Sequence, residues 1–254
     1  MIKILHSIEA WKAVKSKELH QQSIGFVPTM GNLHQGHLSL CEQSIKHHDV
    51  TVVSIFVNPT QFNDQQDLQN YPRTLDADLS LLSKLGVDYC LVLSDDEMYA
   101  DGFRYRVSEC DFSEKMEGAF RPGHFTGVLT IVLKLILALL PHSVYMGEKD
   151  YQQYTLIDGM VKAFFLDCKI VPCATIRESS GLPFSSRNSR LSPDEKRLAD
   201  EFARCFLHVE HDLQTIQKNI EALGIHIDYL LEDCGRRWVA VRIGPIRILD
   251  NYAI

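Results

Sequence analysis

The sequence lacks an apolar run long enough to cross a lipid bilayer. Its most apolar stretch, Gly127–Leu140 (GVLTIVLKLILALL), is interrupted by Lys134, and it is shorter than the ~20 residues that a membrane-spanning helix needs. The amino-terminal segment lacks the uninterrupted apolar region of a signal peptide, because charged residues follow its short apolar run at once. We therefore predict a buried helix at Gly127–Leu140 and no membrane association.

Paired cysteines and an excess of positive charge are also lacking. The seven cysteines are odd in number and none are spaced as CxxC, which argues against a disulfide framework or a zinc ribbon and favours free thiols in a reducing cytoplasm. The formal net charge is −7, which disfavours general nucleic-acid binding. A content of 45% hydrophobic and 23% charged residues over 254 positions is ordinary for a globular protein with one large or two smaller domains.

The first two thirds of the chain alternate short β-type runs with helical patterns. Strands are predicted near residues 24–28, 50–57, 89–93, 144–146 and 169–172, and helices near 36–48, 75–85, 127–140 and 151–164. This alternation predicts an α/β fold, a parallel sheet with helices on both faces. Ligands bind such sheets outside the carboxyl ends of the strands.

The pattern changes after about residue 174. Residues 178–190 are rich in Ser, Gly and Arg and are expected to form a loop or hinge. Ser192-Pro193-Asp194-Glu195 is a strong helix start with a capping box, and a helical region is predicted from there to Leu223. Strands at 239–243 and 246–249 flank Gly244-Pro245 as a hairpin. We therefore predict one domain at residues 1–174 and a small α+β domain at residues 175–254.

The segment Pro28–His37 (PTMGNLHQGH) is the strongest candidate for a functional site. It joins a predicted strand to a predicted helix, and a helix N-terminus attracts phosphate through its free N–H groups and its partial positive charge. Gly31 and Gly36 allow the backbone to approach a nucleotide, and His34 and His37 can donate hydrogen bonds to phosphate oxygens. Two alternatives are a helix that carries two solvated histidines and a zinc site, although no third ligand lies at a helpful spacing.

Four other segments carry groups suited to binding. Asn58–Phe62 ends a buried strand, and Gln61 there offers both a donor and an acceptor to a polar substrate. Glu148-Lys149-Asp150 supplies a cation, and Ser185-Ser186-Arg187 can fold over a triphosphate. Arg121–Phe125 either gates a carboxylate substrate or is only a surface turn. Taken singly, the 148–150 and 185–187 segments also fit a solvated charge run and a polar hinge.

Six segments in one order resemble pantothenate synthetases, the pantoate–β-alanine ligase family. They are PTMGNLHQGHLSL, SIFVNPTQFN, YPRTLDADL, FRPGHFTGV, GEKDYQQ and GLPFSSRN, with GPIRILDN near the carboxyl end. The HxGH pattern alone also marks class I aminoacyl-tRNA synthetases and many nucleotidyltransferases. The FVNPTQF and FRPGHF segments narrow the similarity to this family.

The resemblance implies a Rossmann-like N-terminal domain, a small C-terminal lid domain, usually a homodimer, and two half-reactions. Pantoate attacks the α-phosphorus of ATP, and β-alanine then attacks the resulting pantoyl adenylate, which releases AMP. Attack on ATP depends mainly on positioning and charge stabilisation, so no covalent protein nucleophile is required. Mg²⁺ is expected with ATP.

The family pattern also implies a role for each matching residue. His34 and His37 would stabilise the transferring phosphoryl group, with His37 as proton donor. Gln61 and Gln153 would bind pantoate, with Gln61 also near β-alanine. Asp78 is the weaker candidate for the neighbourhood of the metal. The residues expected to bind ATP are Met30, Gly31, Asn32, Leu33, His34, Gln35, Gly36, His37, Gly147, Glu148, Lys149, Asp150, Ile176, Phe184, Ser185, Ser186 and Arg187.

Two other functions compete with this hypothesis. One is another enzyme of the HxGH superfamily, such as a nucleotidyltransferase, which would keep the nucleotide on its product. The other is a nucleotide-binding protein that has lost catalysis. The joint presence of both histidines, Lys149 and the Ser-Ser-Arg segment favours the ligase.

Overall fold

A computed structural model describes residues 2–254, which form two compact units. The first unit contains the chain up to Gly147 together with Gln152–Cys173, and the second contains Glu148–Tyr151 together with Ala174–Ile254. The second unit thus includes a short segment from the middle of the chain, which the strand and helix patterns of the sequence do not indicate.

Six strands within residues 2–254 form one parallel sheet in the first unit. They are β1 (Lys3–Leu5), β2 (Ile24–Thr29), β3 (Val50–Ile55), β4 (Tyr89–Val92), β5 (Ser143–Gly147) and β6 (Lys169–Cys173). The predicted parallel α/β fold is confirmed. Strand β1 was not predicted, because three partly exposed residues are too few to show an alternating pattern.

Helices connect these strands and cover the sheet. They are α1 (Ile8–Glu18), α2 (Gln35–His47), α3 (Gln65–Gln69), α4 (Leu75–Leu85), α5 (Asp95–Met98), α6 (Glu117–Phe120), α7 (His124–Leu139) and α8 (Tyr151–Ala163). Short 3-10 turns lie at Pro59–Gln61, Phe112–Glu114 and Glu148–Asp150.

Apolar cores lie on both faces of the sheet because neighbouring residues of a strand point to opposite sides. Phe26 and Val52 belong to one core, whereas Val27 and Val53 belong to the other. This explains why the central strand β3 is buried over its whole length and why it reads as a nearly continuous apolar run.

Helix α7 is the predicted buried helix, and it begins at His124, three residues earlier than expected. Most of its residues are buried in the larger core. Lys134 is accommodated because its Nζ donates to the carbonyl of Met98 and, at 3.1 Å, to the Asp101 carboxylate. Across residues 2–254, no helix combines the length and the apolar character needed to cross a membrane.

The strand order, β1-β4-β3-β2-β5-β6, places a topological switch point beside β2. The chain moves from β2 to β3 on one side of β2, and it returns to the other side as β5. Such a reversal opens a crevice outside the carboxyl ends of the strands. The loop that follows Thr29 lies at this edge, as does Gly147 at the end of β5. The sequence predicts nucleotide binding at both places.

The second unit contains two helices and an antiparallel sheet. The helices are α9 (Pro193–Phe206) and α10 (Leu213–Ala222), and within the described chain the sheet consists of β7 (His226–Asp233), β8 (Arg236–Ile243) and β9 (Ile246–Ala253) in that order. Phe202 and Phe206 of α9 pack with Ile216 of α10 and Val241 of β8 in a separate core.

The predicted capping box and the hairpin at Gly244-Pro245 are confirmed. Ser192 Oγ accepts from the N–H of Glu195, whose side chain accepts from the N–H of Ser192. The helical region predicted up to Leu223 contains two helices, since a second one begins at Leu213, where Asp212 caps it. Strand β7 was also missed, since its mostly half-buried residues alternate too weakly.

Candidate active site

The loop after β2 turns sharply because two successive residues adopt left-handed conformations. Gly31 has φ 80° and Asn32 has φ 49°. Thr29 Oγ1 accepts from the N–H of Gly31 at 3.2 Å and donates to the Ser54 carbonyl of the neighbouring strand at 2.7 Å. The loop is therefore tied to the sheet at the point where the strand ends.

Asp78 on α4 fixes the other side of this loop. Asp78 is 2% exposed, and its carboxylate accepts from the N–H groups of Asn32 at 2.9 Å and of Leu33 at 2.8 Å. Thr74 Oγ1 adds contacts of 3.2 Å to both oxygens. Charge-assisted bonds of this kind are stronger than neutral ones. In this structure Asp78 holds the loop in place; its predicted relation to a metal ion remains a prediction.

His34 caps helix α2. Its backbone is extended and its Nδ1 accepts from the N–H of Gly36 at 3.2 Å. Because Nδ1 accepts, a neutral ring must carry its proton on Nε2. The capping bond therefore leaves the Nε2 of His34 as a hydrogen-bond donor at a helix N-terminus, where negative charge is favoured.

His37 lies one turn further along the same helix, on the same face as His34. The two ring centroids are 4.0 Å apart, and the planes are inclined by 31°. Residues three apart on a helix are neighbours, so the HxGH spacing places both imidazoles together. The structure thus brings the two predicted catalytic histidines into one pair at the start of α2.

The main chain of Gln61 is held by two residues of the FRPGHF segment. Its carbonyl accepts from His124 Nδ1 at 2.8 Å and from Arg121 at 3.1 Å. A carbonyl can only accept, so His124 Nδ1 carries a proton, and Nε2 of a neutral ring then accepts from Arg121, 3.2 Å away. His124 is buried. The segment is therefore more than a surface turn, because both residues support Gln61.

The side chain of Gln61 is oriented by Asn58. Asn58 is 1% exposed and its Nδ2 donates to Gln61 Oε1 at 2.9 Å. The Gln61 amide nitrogen therefore points the other way, and it lies 3.2 Å from the sulfur of Met30 in the loop. This arrangement presents the donor end of Gln61 beside residues 30–37, the HxGH loop.

Asn58 is itself held by three further contacts. Its Oδ1 accepts from the hydroxyl groups of Tyr99 at 2.6 Å and Thr60 at 2.9 Å, and its Nδ2 donates to the carbonyl of Gly127. Burial raises the pKa of Tyr99 to about 12. Tyr99 therefore remains a protonated donor at neutral pH.

Gly127 allows helix α7 to approach the Pro59–Gln61 turn. A Cβ at this position would lie 2.5 Å from the carbonyl oxygen of Thr60 and 2.8 Å from the nitrogen of Gln61. Both neighbours are backbone atoms, which cannot move aside by a rotamer change. Glycine is therefore required for this helix and the Gln61 turn to pack together.

The two glutamines at the start of α8 have different environments. Gln152 is 3% exposed; its Nε2 donates to the carbonyls of Phe112 and Lys115, and its Oε1 accepts from the N–H of Glu117. It stabilises the segment before α6. Gln153, the predicted pantoate ligand, is half-buried in the first turn of α8.

In the second unit, Lys149 belongs to a 3-10 turn tied to strand β9. Asn251 Nδ2 donates to the carbonyls of Glu148 at 3.0 Å and Lys149 at 2.8 Å. Lys149 Nζ lies 3.4 Å from the carboxylate of Asp150. Only 19% of the Lys149 side chain is exposed.

Ile176 and Phe184 pair across a short hairpin of the second unit. The N–H of Phe184 donates to the carbonyl of Ile176 at 3.1 Å, and Arg177 and Pro183 form an antiparallel bridge inside this pair. The segment predicted as a loop or hinge at 178–190 thus contains part of a short hairpin.

The turn after this hairpin contains the predicted Ser-Ser-Arg segment. Ser185 Oγ accepts from the N–H of Arg187, and the carbonyl of Ser185 accepts from the N–H of Asn188. Asn188 Nδ2 donates to the carbonyl of Pro183 at 3.0 Å and to Glu178 at 3.1 Å. The hairpin and the turn are therefore connected by one side chain.

The structure groups the predicted site residues within each unit. In the first unit, the HxGH loop, Gln61 and Asp78 are linked by the contacts described above, and Gly147 ends β5. In the second unit, Asn251 of β9 holds the Lys149 turn, and Arg177 of the hairpin forms an ion pair with Asp250 of β9. Sequence reasoning missed Asn58, Tyr99 and Asn251, although NPTQF and ILDN carry two of them. Among residues 2–254, no group of three or more His, Cys, Asp and Glu side chains could hold a metal ion.

Comparisons with known proteins agree on one family. The family model described as pantoate-beta-alanine ligase matches residues 3–253. A pantothenate synthetase from Legionella pneumophila (strain Lens) is 51% identical over 253 residues, which is 100% of both chains. A pantothenate synthetase from Coxiella burnetii (strain RSA 331 / Henzerling II) is 45% identical over 251 residues, covering 99% of this chain and 96% of the relative.

Solved structures give the same result. The pantoate-beta-alanine ligase from Francisella tularensis, complexed with beta-gamma ATP and beta-alanine, has a TM-score of 0.96 and 40% identity, covering 100% of this chain and 98% of its own. The pantothenate synthetase from Thermus thermophilus has a TM-score of 0.93 and 35% identity, with 99% of both chains covered. The chain described here therefore belongs to the pantoate–beta-alanine ligase family.

Proposed function

We propose that this protein is an ATP-dependent ligase that condenses pantoate with β-alanine to form pantothenate. Family membership supports this function, as does the relative from Francisella tularensis that was solved with beta-gamma ATP and beta-alanine. The observation that carries the proposal is the helix N-terminus at Gln35, where the paired rings of His34 and His37 lie at the carboxyl edge of β2. It offers N–H donors and a partial positive charge to phosphate.

The first half-reaction is the attack of a pantoate carboxylate oxygen on the α-phosphorus of ATP. The bond from this phosphorus to the bridging oxygen breaks, and pyrophosphate leaves with the electron pair. The protein supplies orientation and charge stabilisation and no nucleophile of its own. The Nε2 proton of His34 and the ring of His37 stabilise the negative charge on the transferring phosphoryl group, and His37 is the proposed proton donor.

Gln61 and Gln153 are the proposed pantoate ligands. The Asn58 amide turns the Gln61 side chain so that its NH₂ group points toward the HxGH loop. Such a donor suits the carboxylate and hydroxyl oxygens of pantoate. In the second half-reaction the amine of β-alanine, bound near Gln61, attacks the acyl carbon of pantoyl adenylate. The bond from this carbon to the AMP oxygen breaks, and the amine loses a proton.

The remaining ATP ligands are proposed on both units. Met30–His37 and Gly147 belong to the first unit, and Glu148–Asp150, Ile176 and Phe184–Arg187 belong to the second, for which we propose the function of a lid. Lys149 and Arg187 supply positive charge for the phosphates, and Ser185 and Ser186 supply hydroxyl groups.

Mg²⁺ is proposed to enter with ATP and to neutralise phosphate charge. Each oxygen of the Asp78 carboxylate already accepts one main-chain N–H group. Mg²⁺ usually keeps several waters and binds to substrate phosphates with few protein ligands. We therefore propose that the nucleotide phosphates hold most of its coordination shell.

We also propose a homodimer that acts in the cytoplasm. The family resemblance supports the dimer, and sedimentation equilibrium tests it. All seven cysteines, each of them in the described part of the chain, are free thiols, which suits a reducing compartment. The net charge of −7 supports small-molecule substrates over nucleic acid.

Pyrophosphate exchange tests the function directly. The protein is incubated with ATP, Mg²⁺ and labelled pyrophosphate, with and without pantoate, and label entering ATP is measured. Exchange is expected only when pantoate is present, and AMP is expected only after β-alanine is added. Pyrophosphate exchange with another acid but not with pantoate would refute pantoate as the substrate. A stable nucleotidyl product that β-alanine does not cleave would identify a nucleotidyltransferase.

A further inference from the structure

The last strand of the fold carries two adjacent polar residues that are shielded from solvent. Asp250 and Asn251 of strand β9 are each 2% exposed. They lie in the GPIRILDN segment, for which the proposed reaction has no function. Buried polar side chains are retained where they make specific hydrogen bonds, so the contacts of this pair indicate what they stabilise.

Asn251 contacts the segment that carries Lys149. Its NH₂ group donates to two successive carbonyls, those of Glu148 and Lys149, at 3.0 and 2.8 Å. Its Oδ1 accepts from Arg236 Nε at 2.8 Å, and the Arg236 guanidinium carbon lies 3.8 Å from the ring centroid of Tyr151. Both ends of the Glu148–Tyr151 segment are therefore held by β8 and β9.

Asp250 contacts the hairpin that leads to Phe184–Arg187. Its carboxylate receives a two-pronged contact from Arg177, at 2.6 and 2.9 Å. Arg177 also donates to the carbonyl of Gly181 within the hairpin at 2.9 Å. A bidentate guanidinium–carboxylate pair fixes orientation as well as distance, so the base of this hairpin is set relative to β9.

We infer that Asp250 and Asn251 are positioning residues, which set the Lys149 segment and the Phe184–Arg187 turn in one fixed arrangement on strand β9. The inference rests on the proposed function, in which both segments bind the ATP triphosphate. One strand would then orient the ammonium group of Lys149 and the Ser-Ser-Arg donors together, although 35 positions separate Lys149 from Phe184.

Asn251→Asp tests the first contact. The variant keeps the oxygen that accepts from Arg236 but replaces the NH₂ donor with an oxygen that faces two carbonyls. We expect the KM for ATP in pantoate-dependent pyrophosphate exchange to rise by about tenfold or more, because small displacements of binding groups are costly. The KM for pantoate should stay within about twofold of the wild-type value. Tyr252→Phe is the matched control, since it removes a hydrogen bond between β9 and Arg237 and should leave both constants unchanged.

Coupling to Lys149 separates positioning from general stability. Lys149→Ala should raise the KM for ATP, and adding Asn251→Asp to it should have little further effect, because both changes remove one contribution. Arg177→Lys, which keeps the charge but not the two-pronged contact, should raise the KM for ATP while the KM for pantoate is retained. Multiplicative effects in the double variant, or an unchanged KM for ATP in Asn251→Asp or Arg177→Lys, would overturn the inference.

Hydrogen exchange of the ligand-free protein distinguishes failure of the positioning inference from failure of the proposed function. Amides of residues 148–151 should exchange faster in Asn251→Asp than in the wild type, and unchanged protection there would overturn the inference whatever the activity. Absence of pantoate-dependent pyrophosphate exchange in the wild type would instead refute the proposed function. Wild-type kinetics in Lys149→Ala would refute the ATP contact on which the inference depends.

Discussion

The carboxylate of Asp78 accepts a hydrogen bond from the backbone N–H of Leu33 at 2.8 Å, across 45 positions of the chain. Its other oxygen accepts from the adjacent amide of Asn32. Two donors of the HxGH loop are thus satisfied by one buried anion on another helix. These bonds fix the left-handed turn at Gly31 and Asn32, just before the N-terminus of helix α2.

Asp78→Asn should disturb this loop without changing side-chain size. One carboxylate oxygen becomes an NH₂ group that faces a main-chain donor. We expect the protein to lose about 1–3 kcal/mol of stability, the usual cost of a buried unsatisfied donor, and pyrophosphate exchange to slow by about 10²-fold through misplacement of the loop. Thermal unfolding and exchange kinetics measure the two effects.

The control for Asp78→Asn is Asp76→Asn, because Asp76 lies on the same helix and is exposed. It should behave like the wild type. If added Mg²⁺ restored the rate of Asp78→Asn, the defect would concern the metal ion and the positioning explanation would be refuted.

His37→Ala should slow adenylation by about 10²–10⁴-fold, the range for removal of a charge stabiliser or a proton-transfer group. Single-turnover formation of pantoyl adenylate measures this step. His47→Ala offers a control of the same residue type at the other end of α2, where His47 is exposed and contacts the carbonyl of Gln43. Near-normal adenylation in His37→Ala would exclude the proposed catalytic function of this residue.

Gly127→Ala should displace Gln61. The added methyl group would lie 2.5 Å from the Thr60 carbonyl oxygen, so helix α7 and the Gln61 turn must separate, at a cost of about 1–3 kcal/mol for overpacking. We expect the KM for pantoate to rise more than the KM for ATP. Gly159→Ala is the control, because a Cβ there meets nothing within 4 Å; it should be neutral or slightly stabilising. Equal effects of the two substitutions on pantoate binding would contradict this explanation.

We expect the second unit to lose stability in acid, because Asp228 becomes protonated there. Burial raises the pKa of Asp228, but hydrogen bonds from Arg247 and Arg242 outweigh it, so the pKa lies below its ordinary value. A folded-state pKa below the unfolded-state value of ~3.9 means that the stabilising contribution is present above about pH 4 and is lost as the pH falls further.

Thermal unfolding at several pH values tests the Asp228 prediction. Asp228→Asn should be less stable than the wild type at pH 7, and the difference should shrink as the pH falls from about 4 toward the folded-state pKa. Asp194→Asn is the control, because it removes an ion pair in which both side chains are largely exposed, and such pairs contribute little. A difference that stayed constant with pH would rule out the ionised Asp228 as its cause.

Much of the fold could be predicted because its signals are local. The β-branched run of β3, the helical spacing of Leu75, Leu79 and Leu82 in α4, and the capping box at Ser192 each depend on residues within a few positions. The break between α9 and α10 was missed, because the apolar spacing continues in the second helix and Asp212 alone marks its start.

The sequence by itself determined the parallel sheet and the helix that begins at the HxGH loop, because periodicity, capping and short motifs act over neighbouring residues. Only the tertiary structure decided how that site is held. The contacts of Asp78 with Leu33, of His124 with Gln61, and of Asn251 with Lys149 join residues 45, 63 and 102 positions apart. Hydrogen bonds of this kind leave no periodic pattern, since they depend on where the packed cores place each side chain.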